Sequence, residues 1–159
     1  IPMSYSGTWE VHLVELEPPN DKVINKGGTP SQRFNKAISQ VHDWAAYIKD
    51  NPCEVRRDLS KWCADHDLLG YSGGCGDPCN STGDYLRDPE TFIRYYYHIV
   101  IGRRDRIAKE QRRRMNQYSE GLYLRVCTYG RFLDIARNYD IYNTDPGARV
   151  CLTDTAEDA

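Results

Sequence analysis

The fold is decided by the stretch Trp9-Glu10-Val11-His12-Leu13-Val14-Glu15-Leu16-Glu17-Pro18-Pro19. It is typical of a β-strand, in which successive side chains point to opposite faces. The proline pair ends the strand, because proline cannot donate a hydrogen bond to a sheet ladder. Trp9 therefore shares a strand face with Glu15 and Glu17, and an apolar stripe becomes acidic at its carboxyl end.

The two carboxylates at the end of this strand are candidate ligands of a divalent cation. Glu15 and Glu17 lie two residues apart on one strand face, roughly 7 Å apart at Cα, which is near enough to serve one ion. Hard cations such as Mg²⁺ and Mn²⁺ prefer oxygen ligands. The alternative interpretation is a strand end whose carboxylates are simply solvated.

Length and composition indicate one soluble globular domain. The chain has 159 residues, of which 40% are hydrophobic and 28% are charged, and this suits a single core. The net charge of -2 argues against a uniformly basic nucleic-acid binder but allows a local basic surface. No run reaches the length of a membrane span and no leader is recognisable, so we expect a cytoplasmic protein with reduced cysteines and no membrane partner.

The order of predicted elements indicates an α/β domain over residues 1–152 and a frayed acidic tail over 153–159. The first strand covers 9–16. Thr29-Pro30-Ser31-Gln32 then predicts a helix, with Thr29 as its cap and Pro30 as its first residue, that ends near Lys49. A loop-rich insertion lies near 51–90. The remaining predictions are a helix over 54–65, a strand over 92–102, a helix over 103–120, a strand over 122–128 and a helix over 129–139.

Helical spacing of apolar residues predicts which helix faces are buried. The first helix would bury Phe34, Ile38, Val41, Ala45 and Ile48. The second would bury Val55, Leu59, Trp62 and Cys63, and the third Ile107, Gln111, Met115 and Tyr118. The consecutive tyrosines Tyr95, Tyr96 and Tyr97 suggest stacking on bases, although alternation along a strand favours packing on both faces of a central strand.

Basic residues crowd the predicted helix over 103–120. Clustered arginines suit contacts with a phosphate backbone, and a solvated helix paired with acidic residues is the alternative. The candidate nucleic-acid-binding residues are Arg103, Arg104, Arg106 and Arg113.

The segment Cys75-Gly76-Asp77-Pro78-Cys79 could form half of a structural zinc site. Zinc prefers thiolates and imidazoles in a closed tetrahedron, and Cys63, His66 or Cys53 could complete it. Free thiols in a loop are the alternative, and they are favoured because the chain has no second close cysteine pair.

Five segments together resemble a known family. They are Val14-Glu15-Leu16-Glu17, Gly28-Thr29-Pro30, Ala37-Ile38-Ser39-Gln40-Val41-His42-Asp43-Trp44, Ile99-Val100-Ile101-Gly102-Arg103-Arg104 and Val126-Cys127-Thr128-Tyr129. In order and spacing they are similar to the Shedu-type anti-phage defence nucleases of the PD-(D/E)xK superfamily. The resemblance covers nearly all of the chain except the insertion and the tail.

This resemblance implies a restriction-endonuclease-like mixed sheet flanked by helices and a Mg²⁺-dependent (or Mn²⁺-dependent) endonuclease. Glu15 would bind the metal, Glu17 would be a second ligand or position water, and Gln40 would support the site from its helix. DNA is the expected partner, with RNA as the alternative, and the domain would belong to a homo-oligomer or a larger parent protein.

Two departures from the family pattern favour a second interpretation. Glu17 stands where the family has lysine, and none of the eight residues before Trp9 is acidic, so the upstream aspartate either lies on a part absent from this chain or is lost. Lys36, Lys22 and Lys26 are three candidates for a displaced lysine, and the sequence does not choose among them. The second interpretation is a catalytically inactive module of the same fold that senses nucleic acid or assembles a complex.

Overall fold

A computed structural model of the chain describes residues 2–5, 7–66, 77–118 and 123–143. It contains a four-stranded mixed sheet with helices, so the α/β fold class is confirmed. The elements are β1 (Pro2–Tyr5), β2 (Thr8–Leu16), α1 (Gln32–Asp50), α2 (Pro52–His66), β3 (Ile93–Val100), a short 3-10 turn (Arg104–Arg106), α3 (Lys109–Gln117), β4 (Leu124–Cys127) and α4 (Tyr129–Asn143).

The strands lie in the order β1-β2-β3-β4, with β1 antiparallel to β2 and the other neighbours parallel. The three parallel strands are the three that the sequence predicts, while β1 is an addition of four residues. Each pair of successive parallel strands is connected through helices, as parallel pairing requires. The carboxyl ends of β2, β3 and β4 therefore meet at one edge of the sheet.

Alternation gives the sheet two different faces. One face, which we call the helix-covered face, begins with Trp9 paired with Ile93 and ends with Glu15 paired with Ile99. Its apolar side chains pack against Phe34 and Val41 of α1 and against the other helices. The opposite face, which we call the histidine face, consists in its centre of Glu10, His12, Arg94, Tyr96 and His98.

Helix α1 begins later than the sequence predicts. Ser31, not Thr29, is the N-cap, because the Ser31 Oγ accepts a hydrogen bond from the Phe34 backbone N–H at 3.1 Å. Thr29 and Pro30 instead belong to the preceding loop, where the Thr29 carbonyl accepts from Asn25 N at 2.8 Å. The prediction of Thr29 as cap is therefore wrong, although the buried face and the end of the helix before Asn51 are confirmed.

The predicted single helix over 103–120 is wrong, because the backbone leaves helical geometry at Ile107. This residue is extended (φ -112°, ψ 115°) and buried, which brings its side chain into the core while Arg104–Arg106 stay at the surface. The Gln111 side chain then accepts from Ala108 N at 3.1 Å and starts α3 at Lys109. The predicted end of this helix, after Tyr118, lies outside the described residues.

Helix α2 and the segment that follows the undescribed residues 67–76 close the amino end of the helix-covered face. Cys63 is buried there as predicted, but Trp62 is exposed, so its predicted burial is wrong. Leu86 is fully buried beside Trp9, whose indole N–H donates to the Asp84 carbonyl at 3.1 Å. The second half of the predicted insertion, from residue 77 onward, therefore packs against the sheet through Leu86 and Asp84.

Helix α4 begins as predicted, with Thr128 as its cap. The Thr128 Oγ1 accepts from Arg131 N at 3.4 Å. Gly102, which follows β3 with φ +72°, accepts from Tyr129 N at 3.1 Å and joins the start of α4 to the end of β3. Within the described ranges, no helix is both long and apolar enough to cross a membrane.

Candidate functional site

The two candidate carboxylates lie at the carboxyl end of β2, which we call the acidic edge (Glu15 and Glu17). The pairing of the parallel strands continues here, because Glu17 N donates to the Val100 carbonyl and Ile101 N to the Cys127 carbonyl, both at 3.0 Å. In open α/β sheets, ligands bind outside the carboxyl ends of the parallel strands. The acidic edge therefore has the location that the fold favours for a site.

Glu15 is half-buried, and the negative charge of Glu17 acts on its carboxyl group. Burial and repulsion from the Glu17 carboxylate raise the pKa of Glu15 above its ordinary value, while the ammonium group of Lys36 acts in the opposite direction. A carboxylate whose pKa is raised by a second carboxylate has negative charge that is incompletely balanced. An added cation would relieve this repulsion.

Glu17 is not a solvated strand end, because it is only 6% exposed. The Arg33 Nε lies 3.5 Å from the Glu17 Oε2 and 3.2 Å from the Asp21 Oδ2. Arg33 is not predicted from the sequence, since its contact with Glu17 depends on the path of the loop over 18–31 and leaves no local pattern. The carboxylate of Glu17 is therefore already paired with a cationic side chain.

Tyr129 is a second residue of the site that is not predicted from the sequence. It is half-buried at the start of α4, and burial together with the Glu17 charge raises the pKa of its phenol. The position of Tyr129 one residue after the Thr128 cap is readable from the sequence, but its proximity to Glu17 is a property of the fold. Its hydroxyl is a neutral polar group at the acidic edge.

Gln40 lies half-buried on α1, one helical turn after the exposed Lys36. In the described part of the chain its side chain makes no hydrogen bond to either glutamate. Its convergence with the glutamate pair stays a prediction. Of the three lysine candidates, Lys36 is the one whose charge acts on Glu15.

The oxygen donors of the acidic edge suit magnesium more than zinc. Among the described residues no group of three or more His, Cys, Asp or Glu side chains could hold a metal ion. Mg²⁺ is commonly bound by one or two carboxylates, with water and substrate phosphate completing its shell. Two glutamates fit that pattern. Cys75, a proposed zinc ligand, lies outside the described residues, so the zinc hypothesis stays a prediction.

Three of the candidate arginines, Arg103, Arg104 and Arg106, lie in the turn that follows β3 at the same edge of the sheet, and Arg113 lies on α3. Arg103 pairs with Asp105 at 3.3 Å, and Arg104 pairs with Asp134 of α4 at 2.9 Å. Arg106 and Arg113 are exposed and form no ion pair within the described ranges. Two of the four predicted nucleic-acid-binding residues can therefore reach a phosphate without breaking an existing pair.

The histidine face has a different chemistry. The His12 Nδ1 and the His98 Nε2 lie 2.9 Å apart, so one donates and the other accepts. Burial, the neighbouring His12 and the positive charge of Arg125 lower the pKa of His98 to about 4. Tyr96 stacks on His12 and donates its hydroxyl to the Glu10 carboxylate at 3.2 Å. This network keeps polar groups paired on a partly buried surface.

Comparison with known proteins gives one match. The family model described as "Shedu protein SduA, C-terminal" matches residues 1–133. No curated protein and no solved structure matches the chain. Because the match covers most of the chain, including every strand and the acidic edge, this protein belongs to the Shedu SduA C-terminal family and is an anti-phage defence protein.

Proposed function

We propose that this domain hydrolyses phosphodiester bonds of nucleic acid with a divalent metal ion, Mg²⁺ or Mn²⁺, bound at the acidic edge of a restriction-endonuclease-like fold. The observation that carries this proposal is the placement of Glu15 and the buried Glu17 together at the carboxyl end of β2, and the raised pKa of Glu15 supports it. Two carboxylates that repel one another at the carboxyl end of a parallel sheet are suited to a divalent ion. Membership in a defence family agrees with an attack on foreign nucleic acid.

The residues of the site would each have a separate role. Glu15 and Glu17 would hold the ion, which when bound neutralises charge on the phosphate and acidifies the attacking water. As the water gives up a proton and its oxygen bonds to phosphorus, the ester P–O bond breaks and the leaving oxygen takes up a proton. Lys36, whose charge acts on Glu15, would position the water in place of the lysine that Glu17 replaces. Gln40, one turn further along α1, would support it.

Metal binding is tested first, by isothermal titration of the intact chain with Mg²⁺ and Mn²⁺. We expect the wild type to bind one ion and Glu15→Gln to lose it. Asp43→Asn is a matched control, because it removes an exposed carboxylate of α1 that is not one of the two proposed ligands. Equal binding by wild type and Glu15→Gln would contradict the assignment of Glu15.

Cleavage is tested by nicking of supercoiled plasmid in Mg²⁺. We expect activity that is lost in Glu15→Gln and in Lys36→Met, with the lysine variant still binding the metal. Activity that survives both substitutions would place the chemistry elsewhere.

The exposed arginines would guide the nucleic acid to the edge. We expect Arg106→Ala combined with Arg113→Ala to weaken duplex binding and to reduce the salt dependence of log K by about one unit for each phosphate that is no longer neutralised. Arg57→Ala is the matched control, since Arg57 is equally basic and exposed but lies on α2. An unchanged salt dependence of log K in the double variant would show that Arg106 and Arg113 do not contact the nucleic acid.

The Arg33–Glu17 contact favours a second candidate function, a binding module without catalysis. An arginine 3.5 Å from Glu17 already offsets the charge that a metal would neutralise. In such a module, no divalent ion would bind either the wild type or Arg33→Met. In the enzyme, Arg33→Met would leave Glu17 without its partner and tighten metal binding. One titration of the two proteins separates these functions.

A further inference from the structure

Four planar side chains form a continuous patch on the histidine face, at the amino ends of β3 and β4. The Arg94 guanidinium lies 5.9 Å from the centroid of the Phe92 ring and donates to the Tyr96 hydroxyl at 3.3 Å. The Tyr96 and Tyr123 rings meet edge to face with centroids 5.7 Å apart. We call these four residues the aromatic platform.

The outer rings of the platform are exposed to an unusual degree. Phe92 is 65% exposed and Tyr123 is 69% exposed, the highest values among the exposed large apolar side chains of the described residues. Exposed apolar groups that are clustered mark interaction sites more often than scattered ones do. Neither ring contributes to the two buried clusters of the core. The platform is therefore open to a ligand, and its outer residues can be changed without disturbing the fold.

We propose that the aromatic platform binds unpaired bases of single-stranded nucleic acid. Its four members are three aromatic rings and one guanidinium, with no aliphatic side chain among them. Flat rings on a sheet surface accept stacked bases, and the planar guanidinium of Arg94 adds a further surface for stacking.

The charges around the platform agree with a polyanion. The one carboxylate at its centre, Glu10, accepts from Tyr96 at 3.2 Å and lies 3.7 Å from the Arg94 guanidinium, so its charge is offset. The positive charge of Arg125 acts on the adjoining histidines. Among the described residues, the centre of the platform therefore carries no unpaired carboxylate that would repel a phosphate.

The platform is a different site from the acidic edge. Phe92 precedes the amino end of β3, whereas Glu15 pairs with Ile99 near its carboxyl end and on the other face. Seven residues of strand separate the two, roughly 23 Å. The proposal therefore does not rest on cleavage at the acidic edge.

The test is binding of a fluorescent oligothymidine of about 20 nucleotides, long enough for one such surface, to the intact chain in EDTA. We expect Phe92→Ala and Tyr123→Ala each to weaken binding roughly 5- to 150-fold, the range for losing one base–aromatic stack. Duplex affinity and its salt dependence should stay unchanged. Tyr47→Ala is the matched control, because it removes an exposed ring (52%) that lies on α1 and outside the platform, and it should bind like the wild type. Wild-type affinity in both platform variants would overturn the proposal.

Two further substitutions separate base stacking from protein docking. Phe92→Trp keeps a flat ring and should retain binding, whereas Phe92→Leu keeps an apolar surface without a ring and should lose it. Retained binding in Phe92→Leu would overturn the proposal, as would self-association of the wild type in sedimentation that Phe92→Ala abolishes. Binding to the platform is measured without divalent ions. A negative result for the platform therefore does not count against the metal site, and a negative result for the metal site does not count against the platform.

Discussion

The two faces of strand β2 differ in what they bury and in the chemistry of their side chains. On β2, Trp9 and Val11 are almost completely buried on the helix-covered face, while Glu10 and His12 on the histidine face keep polar partners. Side chains alternate across a strand, so one segment supplies both surfaces. The first face thus fixes the fold by apolar packing, and the second is free to carry polar chemistry provided its groups are paired.

The largest expected effect is on the helix-covered face, where we predict that Trp9→Ala lowers the free energy of unfolding by about 3–5 kcal/mol. The substitution removes a fully buried ring and one of the two hydrogen bonds that the Asp84 carbonyl accepts, the other being from Asn80 N. Urea unfolding measures the change. Tyr123→Ala, on the other face, should change stability by less than about 0.5 kcal/mol. Equal losses in the two variants would show that both faces support the core.

The contrast between the faces could be predicted from the sequence, but the breaks in regular structure could not. Alternation from Trp9 to Glu15 predicts β2 correctly, and helical spacing predicts the buried side of α1. The extended conformation of Ile107 depends on a place in the core that other elements create. Strand β1 has four residues and is defined by its pairing with β2, so its own sequence carries little signal.

The histidine face has the next largest expected effect, through pH. His98 has a pKa lowered to about 4 by burial, by His12 and by Arg125. Below the ordinary value of 6.5 the unfolded chain binds a proton that the folded chain does not, so stability falls as pH falls from 6.5 towards 4. We predict a loss of about 2 kcal/mol across this window, reduced from the full shift because the ring is partly exposed.

Urea unfolding at several pH values measures this loss by comparison with His98→Gln, which does not titrate. The variant should lack this part of the pH dependence, whereas His66→Gln removes an exposed histidine of α2 and should keep the wild-type profile. A wild-type profile in His98→Gln would mean that the histidine pair is not buried enough to resist protonation.

The residues of the acidic edge could be predicted in part. The position of Glu15 and Glu17 at the end of β2 follows from the strand and the proline pair, and their coupling follows from their spacing. The ion pair of Arg33 with Glu17 and the electrostatic effect of Glu17 on Tyr129 join residues from separate segments of the chain. Such contacts depend on loop paths and helix placement, which a single sequence does not specify.

A smaller effect concerns the helix that covers the first face. Ser31 caps α1, so Ser31→Ala should lower the free energy of unfolding by about 1 kcal/mol. Thr29→Ala is the matched control, because the Thr29 side chain is exposed and does not cap the helix. Urea unfolding of both variants measures the difference. A larger loss in Thr29→Ala would restore Thr29 as the cap.

The smallest expected effect is at the acidic edge, where the helix-covered face stops being apolar. Because the pKa of Glu15 is raised in the folded chain by burial and by Glu17, stability present at low pH is lost as pH rises through the interval between the ordinary and the raised value. Glu15→Gln lacks this loss, so without divalent ions it should be more stable than wild type at pH 7 by about 0.2–1 kcal/mol, as for a partly exposed charge pair.

Thermal unfolding with and without Mg²⁺ measures this difference. A ligand that binds the folded state alone stabilises it. Mg²⁺ should therefore raise the thermal midpoint of the wild type and not that of Glu15→Gln. The difference between the two midpoints should become smaller or change sign. Asp43→Asn removes an exposed carboxylate of α1 and should follow the wild type in both conditions. If Glu15→Gln is the less stable protein without metal, the two glutamates do not repel one another, and the acidic edge is an ordinary strand end held by Arg33.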